Sequence, residues 1–465
     1  MQNGMKAINL PSCGLDIHKD IIEACIIDED GNRHLKTFDT MRKTLHDLKA
    51  WILSLKCLHV LMESTGVYWL PIYEILEEVD GMNVGVGNAR HMKNVPGRPK
   101  TDREDSKWIA RLCMVGLILK SFVVGRRFRE LREYTRYYKK LTQDRARHKN
   151  RIEKLLQLNG FKLSSVISDI YGVSGFKLLN TLRAYGSVTL SQVKGALHKK
   201  IKKSPEEIER AINGRMKYTS QLLLGKMITR LDNCNKEMDE IYGMMSDISS
   251  DFEPQLRIIE SIPGMGRLSG IYIIAEIGTD LSSFRSSGHL TAWAGLAPKD
   301  HESAGKLKFS KTKKANIYVK SIMIECAWAA VKVRNTRISN WYWRNVKRLG
   351  EKKAITAVAR KLLVYIYAML KNGELYDGSL DVTDTETRKA EKLASAHKTV
   401  ERQSFSSNEK KQRNDVTHKG STNALLPAQA SLRPPNIADN SEPSSKRGQP
   451  SKKPCVKGLT VNLQT

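Results

Sequence analysis

GLDIHKD, residues 14–20, puts an acid inside an apolar strand, and that placement governs how the rest of the chain is read. The apolar alternation of CGLDI is that of a β-strand, with Asp16 held between Leu15 and Ile17. A carboxylate in such a strand tends to be excluded from a core unless it has a partner. Working outward, EACIIDEDG is a second strand closing on the Asp30-Gly31 turn signal, so a hairpin follows. RHLKTFDT reads as a third strand, and Leu45, Leu48 and Ile52 give the segment ending near Ser54 a helical spacing. HVLMES is a buried strand, LPIYEILEEV a helix and NVGVGN a last strand. Together they predict an α/β layer domain over residues 1–124. The Pro/Gly-punctuated loop NVPGRPKTDRED leads into a helix from about Thr101 that continues through Trp108, Ile109 and Leu112.

Three further acids are candidates to join Asp16. Glu63 ends the strand in LMESTG, while Asp102 and Asp105 open the helix in KTDREDSKWIA. Acids at i and i+3 share one helix face, so Asp102 and Asp105 can point at one site. Carboxylates so gathered repel unless a cation sits among them, and magnesium is a hard ion that takes oxygen ligands. Two such ions would stabilise the attacking and leaving oxygens of a phosphodiester displacement. Taken singly, Asp102 and Asp105 are equally first-turn residues favoured by the helix dipole, and Glu63 equally a cap or a partner of a base.

The composition points to a polyanion. Lys and Arg number 78 against 49 Asp and Glu in 465 residues, a formal net charge of +29. No apolar run has bilayer-spanning length and no signal-peptide pattern opens the chain, so a cytoplasmic, nucleoid-associated protein without a membrane partner is expected. The seven cysteines are scattered singly, which predicts neither disulfides nor structural zinc. Residues 125–250 turn helical and basic, with long runs at both ends and a helical insert from about Ser174 to Asn213; two antiparallel coiled-coil arms fit. The one-sided charge of the first arm, Arg126, Arg127 and Arg129 among it, predicts phosphate contact, although any single residue is more readily a solvated charge. Residues 251–376 are expected to form a compact, mostly helical domain, and residues 377–465 a disordered basic and polar tail.

GLDIHKD, MESTGVYWLPIYEIL and GRPKTDREDSKWIARL, in that order, resemble the DEDD transposases of insertion sequences that include the Piv-type DNA invertases. The likeness continues in SIPGMGRLSGIYIIAEIG, FRSSGHLTAWAGLAP and ESAGKLKFSKTKKAN and covers the chain from about Ser12 to Tyr376. It implies an RNase H-like (RuvC-like) first domain whose catalytic, metal-holding acids are Asp16, Glu63, Asp102 and Asp105, with magnesium or manganese as cofactor. It also implies a catalytic serine at Ser303, a residue that local sequence alone would leave as part of a Gly-flanked turn. IPGMG ahead of an apolar helix looks like a helix-hairpin-helix whose amides face a phosphate, or else its glycines permit tight packing. Lys306, Lys308, Lys311, Lys313 and Lys314 follow the serine and are expected to touch nucleic acid. Two departures stand out: the family commonly has Gly at the position of Ala315 and an Arg near Lys320. The resemblance further implies DNA as substrate, a structured guide RNA transcribed from the element, and a homo-oligomer, dimer or tetramer, whose subunits share a composite site. Two rival readings stay open. One is a Holliday-junction-resolvase-like, magnesium-dependent endonuclease with no covalent intermediate; the other is a non-catalytic nucleic-acid scaffold.

Overall fold

The computed structural model describes residues 7–398 except 65, 96–101, 200, 304–305, 313–314, 380, 382–386, 388–389 and 391–392. Contacts divide the chain into residues 1–390 and 391–465; in the second unit the described residues are the helical 393–398. Most of the expected tail therefore lies outside the described residues.

The chain opens with β1 (Ser12–Ile17), β2 (Ile21–Ile27), β3 (Arg33–Asp39), α1 (Arg42–Ser54), β4 (His59–Glu63), α2 (Trp69–Glu77), β5 (Asn83–Gly87), α3 (Ala89–Lys93) and α4 (Asp102–Met114). All but the short α3 are elements expected from the sequence pattern. The sheet has the order β3-β2-β1-β4-β5, with β1 antiparallel to β2 and parallel to β4. Gly31, at φ +85, makes the turn between β2 and β3. Because strand side chains alternate, Cys13, Leu15 and Ile17 face one way and join Val60 and Met62 in a core with Leu48 and Ile52 of α1 and Leu76 of α2. The opposite face is covered by α4, where Leu61 packs with Ile109 and Leu112. Here Gly14 decides the spacing: a Cβ on it would lie 2.1 Å from the backbone nitrogen of Ala110 and 2.4 Å from the carbonyl oxygen of Ser106. Only a glycine lets α4 come this close.

Next come α5 (Arg126–Leu158), α6 (Leu163–Val166), α7 (Val173–Tyr185), α8 (Leu190–Ala196), α9 (Pro205–Ala211) and α10 (Tyr218–Ser249). The two long helices run antiparallel, as Arg127 pairs with Asp251 just beyond α10, Tyr137 bonds Glu237, and Leu141 packs on Cys234 and Met238. At the far end, Ile152 and Leu156 of α5 and Leu224 and Ile228 of α10 share a separate core with α7, α8 and α9.

The third region holds α11 (Glu253–Glu260), α12 (Arg267–Ile277), α13 (Ser287–Trp293), β6 (Pro298–Ser303), β7 (Lys306–Thr312), α14 (Ile317–Lys332), α15 (Arg337–Leu349) and α16 (Glu351–Asn372). Its helices surround one core centred on Ile274, Met323, Val358 and Leu362. The β6–β7 hairpin was not foreseen as strands, since KDHES and KLKFSKT lack the run of alternating apolar residues that marks one. Packing also runs past Tyr376: the Asp381 carboxylate accepts from the Arg337 backbone amide at 2.8 Å and from the Tyr376 hydroxyl at 2.9 Å. A single acid serving a helix start leaves no hydrophobic signal in the sequence. Among the described residues no helix is long and apolar enough to cross a membrane.

Candidate catalytic centre

Parallel pairing of Leu15 with Met62 puts Asp16 and Glu63 next in line on neighbouring strands. Asp16 shares its side of the sheet with Gly14, the side that α4 covers, and Glu63 shares it with Leu61. Both acids are only 6% exposed. Asp105 lies one helical turn before Ile109, which faces the sheet, so it is carried to the same end. The electrostatics agree with this placement: burial raises the Asp16 carboxyl above the ordinary carboxylate range, His18 pulls it back down, and the charges of Asp105 and Glu63 raise it further. The structure thus carries Asp16, Glu63 and Asp105 to the same end of the sheet, where the charges of Glu63 and Asp105 act on Asp16. Asp102 is the first residue of α4, three positions before Asp105; its side chain lies outside the described residues.

His18 was not singled out by sequence. Its Nε2 sits 3.2 Å from Asp16 Oδ2, with the imidazole half exposed. The signal was present, because residues i and i+2 of an extended segment share a side.

Whether the acids suit a cation turns on the donor set. Among the described residues no group of three or more His, Cys, Asp or Glu is already drawn together as one ion would need. What is present is a buried carboxyl whose charged form is disfavoured by burial and by two neighbouring acids, on hard oxygen donors. That is the environment a divalent cation relieves. The donors fit magnesium or manganese by their chemistry. The described cysteines do not contribute: Cys13, Cys25, Cys57, Cys113, Cys234 and Cys326 are free and buried, and burial pushes the Cys25 and Cys113 thiols up to about 11.

Ser303 is the last residue of β6 and pairs with Lys306, the first of β7, beside a register shift between His301 and Glu302. It therefore stands at a hairpin tip. Lys306, Lys308 and Lys311 lie along β7, whereas Lys313 and Lys314 fall outside the described residues, as do the side chains of Ser303 and these β7 lysines. The hairpin is tied down at its base, where Lys320 of α14 donates to Thr312 Oγ1 at 2.6 Å.

A second buried acid anchors that region. Glu276 in α12 is 1% exposed and receives the guanidinium of Arg136, with Arg132 at 3.4 Å, both from the root of α5. Its Oε2 also accepts from Asn316 Nδ2 at 2.7 Å, and Asn316 Oδ1 in turn caps α14 by accepting from the amides of Tyr318 and Val319. Sequence reasoning passed over Glu276, although an acid inside IYIIAEIG is the same sign that drew notice to Asp16. In SIPGMG, Gly264 has φ +86 and a Cβ there would lie 2.4 Å from the Ala330 backbone nitrogen, so close packing on α14 accounts for this glycine.

The arm cations divide by environment. Arg129, expected at a phosphate, is 6% exposed and held by Glu77 and by the Val124 carbonyl at 2.9 Å. It joins the arm to α2 and does not face solvent. Arg126 and Arg127 are exposed but paired with Glu78 and Asp251. Further out, Lys140, Arg147, Arg151 and Lys154 are exposed, and their spacing puts them on one side of α5.

Two family profiles match, in order and without overlap. One, described as Transposase and of the DEDD type, covers residues 13–159; the other, Transposase IS116/IS110/IS902 family, covers residues 256–343. The chain is 25% identical over 383 residues to the transposase for insertion sequence element IS1111A of Coxiella burnetii, covering 81% of this chain and 93% of that protein. It is 23% identical over 382 residues to the pilin gene-inverting protein of Moraxella bovis, covering 78% and 97%. A 44.8 kDa protein of insertion element IS116 from Streptomyces clavuligerus is 25% identical over 408 residues, covering 80% and 97%. A mixed sheet carrying buried acids, joined by basic helical arms to a helical domain, with these relatives, defines an enzyme of the DNA transposase and recombinase class. The chain belongs to the IS116/IS110/IS902 transposase family, whose relatives extend to the Piv-type invertases.

Proposed function

We propose that this enzyme cuts and rejoins DNA strands at a divalent-metal centre held by Asp16, Glu63, Asp102 and Asp105, with Ser303 as the nucleophile. What supports this reading is the placement of Asp16, Glu63 and Asp105, from three separate elements, at one end of the sheet, where the charges of Glu63 and Asp105 act on Asp16. The order β3-β2-β1-β4-β5, antiparallel then parallel, supports an RNase H-like domain. Magnesium or manganese bound there supplies positive charge to a phosphodiester and to the oxygens that attack and leave it. Asp16 and Glu63, on the sheet, fix the site rigidly; Asp105 and Asp102, on α4, complete the donor set. His18 holds Asp16 by its imidazole and keeps the carboxylate oriented.

At the other half of the site, the Ser303 oxygen forms a bond to phosphorus while the bond from phosphorus to the leaving strand oxygen breaks. The serine proton ends on the freed strand hydroxyl. The phosphoserine keeps the bond energy, so a second strand hydroxyl can reverse the step and reseal DNA without an external energy source. Ser303 and the acids come from different subunits of a homo-oligomer, and the antiparallel arms, read as a coiled coil, mediate assembly. The stripe of Lys140, Arg147, Arg151 and Lys154 supports contact with a phosphate backbone, which we assign to a structured guide RNA.

The test is strand cleavage on DNA carrying the element ends, with the RNA transcribed from the element. Asp16→Asn and Glu63→Gln are expected to abolish cleavage in magnesium. Ser303→Ala is expected to abolish the protein–DNA adduct seen on a denaturing gel. Unchanged strand exchange by Ser303→Ala would overturn the serine step and favour a junction-resolving nuclease; cleavage surviving both acid variants would remove the metal centre altogether.

A further inference from the structure

The geometry points to a second nucleic-acid site at the edge strand β5: a cleft of about 440 Å³ that takes an unpaired nucleotide of the DNA strand being processed. The inference rests on the reading of the chain as an enzyme of DNA strands, and it extends that reading to where an unpaired part of the strand is held.

Four pieces of chain form the cleft: Tyr73 of α2, β5 with Asn88 and His91 beyond it, the 119–123 segment that joins α4 to α5, and the stretch from Ser283 to Trp293 of α13. Its place is set by the sheet. Glu63 pairs with Gly87, and Asn88, which lines the cleft, is the next residue. From the strand of Asp16 to β5 is two strand spacings, roughly 10 Å. Val84, Val86 and Tyr73 line it from the face opposite the one α4 covers, so the cleft opens at the edge of the sheet along β5, around that strand from the acids.

The lining has the chemistry of a base-stacking site. Trp293 and Phe122 meet edge to face at 5.6 Å, and both are half buried, each with part of its surface open. An aromatic wall with a free part accepts any base, since every base has a π-face. Around it stand the exposed His91 and His289 imidazoles, which can donate, while the Lys120 ammonium at the rim is held by the Asn83 carbonyl and side-chain oxygens. None of the described lining residues is Asp or Glu. An apolar wall, a few polar donors and this volume are those of a small-ligand cleft, and the lack of acid selects an anion. Residues packed only to close a seam between elements have no need of an acid-free rim.

The experiment is binding of full-length protein to a short fluorescent oligothymidylate, in chelator so that no cleavage occurs and the state of the metal centre does not enter. Trp293→Ala is expected to weaken binding roughly ten-fold. Trp293→Phe should keep most of the affinity, which a purely charge-based contact would not distinguish from Trp293→Ala. His289→Ala alters an exposed residue, leaves the core intact, and should weaken binding in the same direction. A 2-aminopurine in the oligonucleotide should be quenched by wild type and not by Trp293→Ala. Wild-type affinity in both alanine variants would overturn the assignment. So would tighter binding of oligouridylate than oligothymidylate through the same residues, which would give the cleft to RNA. Because cleavage is not read, failure here leaves the carboxylate centre standing, and an inert carboxylate centre leaves this result standing.

Discussion

Arg136 grips Glu276 with both edges of its guanidinium, Nε to Oε1 at 2.9 Å and Nη2 to Oε2 at 3.2 Å, and so joins the root of the arm α5 to the buried helix α12. The same carboxylate holds Asn316 at the start of α14, immediately after the segment that carries Ser303. Arg136 also lies 4.3 Å over the Tyr318 ring. One acid therefore fixes the arm, the helical core and the base of the hairpin together. Glu276→Ala leaves Arg132 without its counter-charge in a buried setting and should cost about 3 kcal/mol, the low end for a broken buried pair because Arg136 reaches solvent. Glu276→Gln, which can still accept from Asn316, should cost less. Chemical denaturation measures both, and a Glu276→Ala loss below about 1 kcal/mol would show that the pairing does not hold the region.

Gly14→Ala should be among the most disruptive single-methyl changes in the first domain. The added carbon meets backbone atoms of Ala110 and Ser106, which no rotamer change can move, so α4 must lift from β1. A loss of about 3 kcal/mol or more is expected. Since α4 carries Asp105, cleavage should fall even at temperatures where the variant remains folded. Wild-type cleavage in a folded Gly14→Ala protein would mean that α4 need not be held at this distance.

The pH dependence follows from Asp16. Its carboxyl is raised in the folded chain, mainly by burial, so between the ordinary carboxylate range and the raised value the folded state holds a proton that the unfolded state has lost. The contribution of this group to stability is thus full below the ordinary range and disappears as pH rises through the raised value. In chelator, Asp16→Asn should abolish that decline and be the more stable protein at neutral pH. Adding magnesium should stabilise the wild type at neutral pH, by about 2.7 kcal/mol at a hundred times the dissociation constant, and leave Asp16→Asn unmoved. Thermal unfolding across pH, with and without magnesium, reads all three. Equal magnesium shifts in both proteins would put the ion elsewhere.

Two classes of arm cation should separate in a salt titration of nucleic-acid binding. Replacing Lys140 or Arg151 by Ala should lower the slope of log affinity against log salt by about one and leave stability unchanged. Arg129→Ala should leave the slope unchanged and destabilise the fold, because its guanidinium is occupied by Glu77 and the Val124 carbonyl. The reverse pattern would mean that Arg129 leaves its buried pair to reach phosphate.

Much of the first domain was legible in the chain itself. Strand and helix periods from Ser12 to Gly87 are written in apolar alternation, and Asp16 stood out because a charge in such a strand requires a partner. Asp105 was readable as a candidate to join Asp16, but its position could not be read from the chain, since the close seating of α4 on Gly14 is what carries it to that end of the sheet. The hairpin carrying Ser303 was hidden by its polar strands, and the burial of Arg129 by the fact that its partner acid Glu77 lies far away in sequence.

The sequence alone determined the local elements, the basic character of the arms and the candidate acids, because periodicity and charge act between near neighbours. Tertiary structure alone decided which acids meet, which arginines face water, that Glu276 rather than a surface pair holds the arm, and that an aromatic cleft opens beside β5. These depend on contacts between residues distant in the chain, where burial sets whether a charge is a ligand, a strut or a solvated surface group.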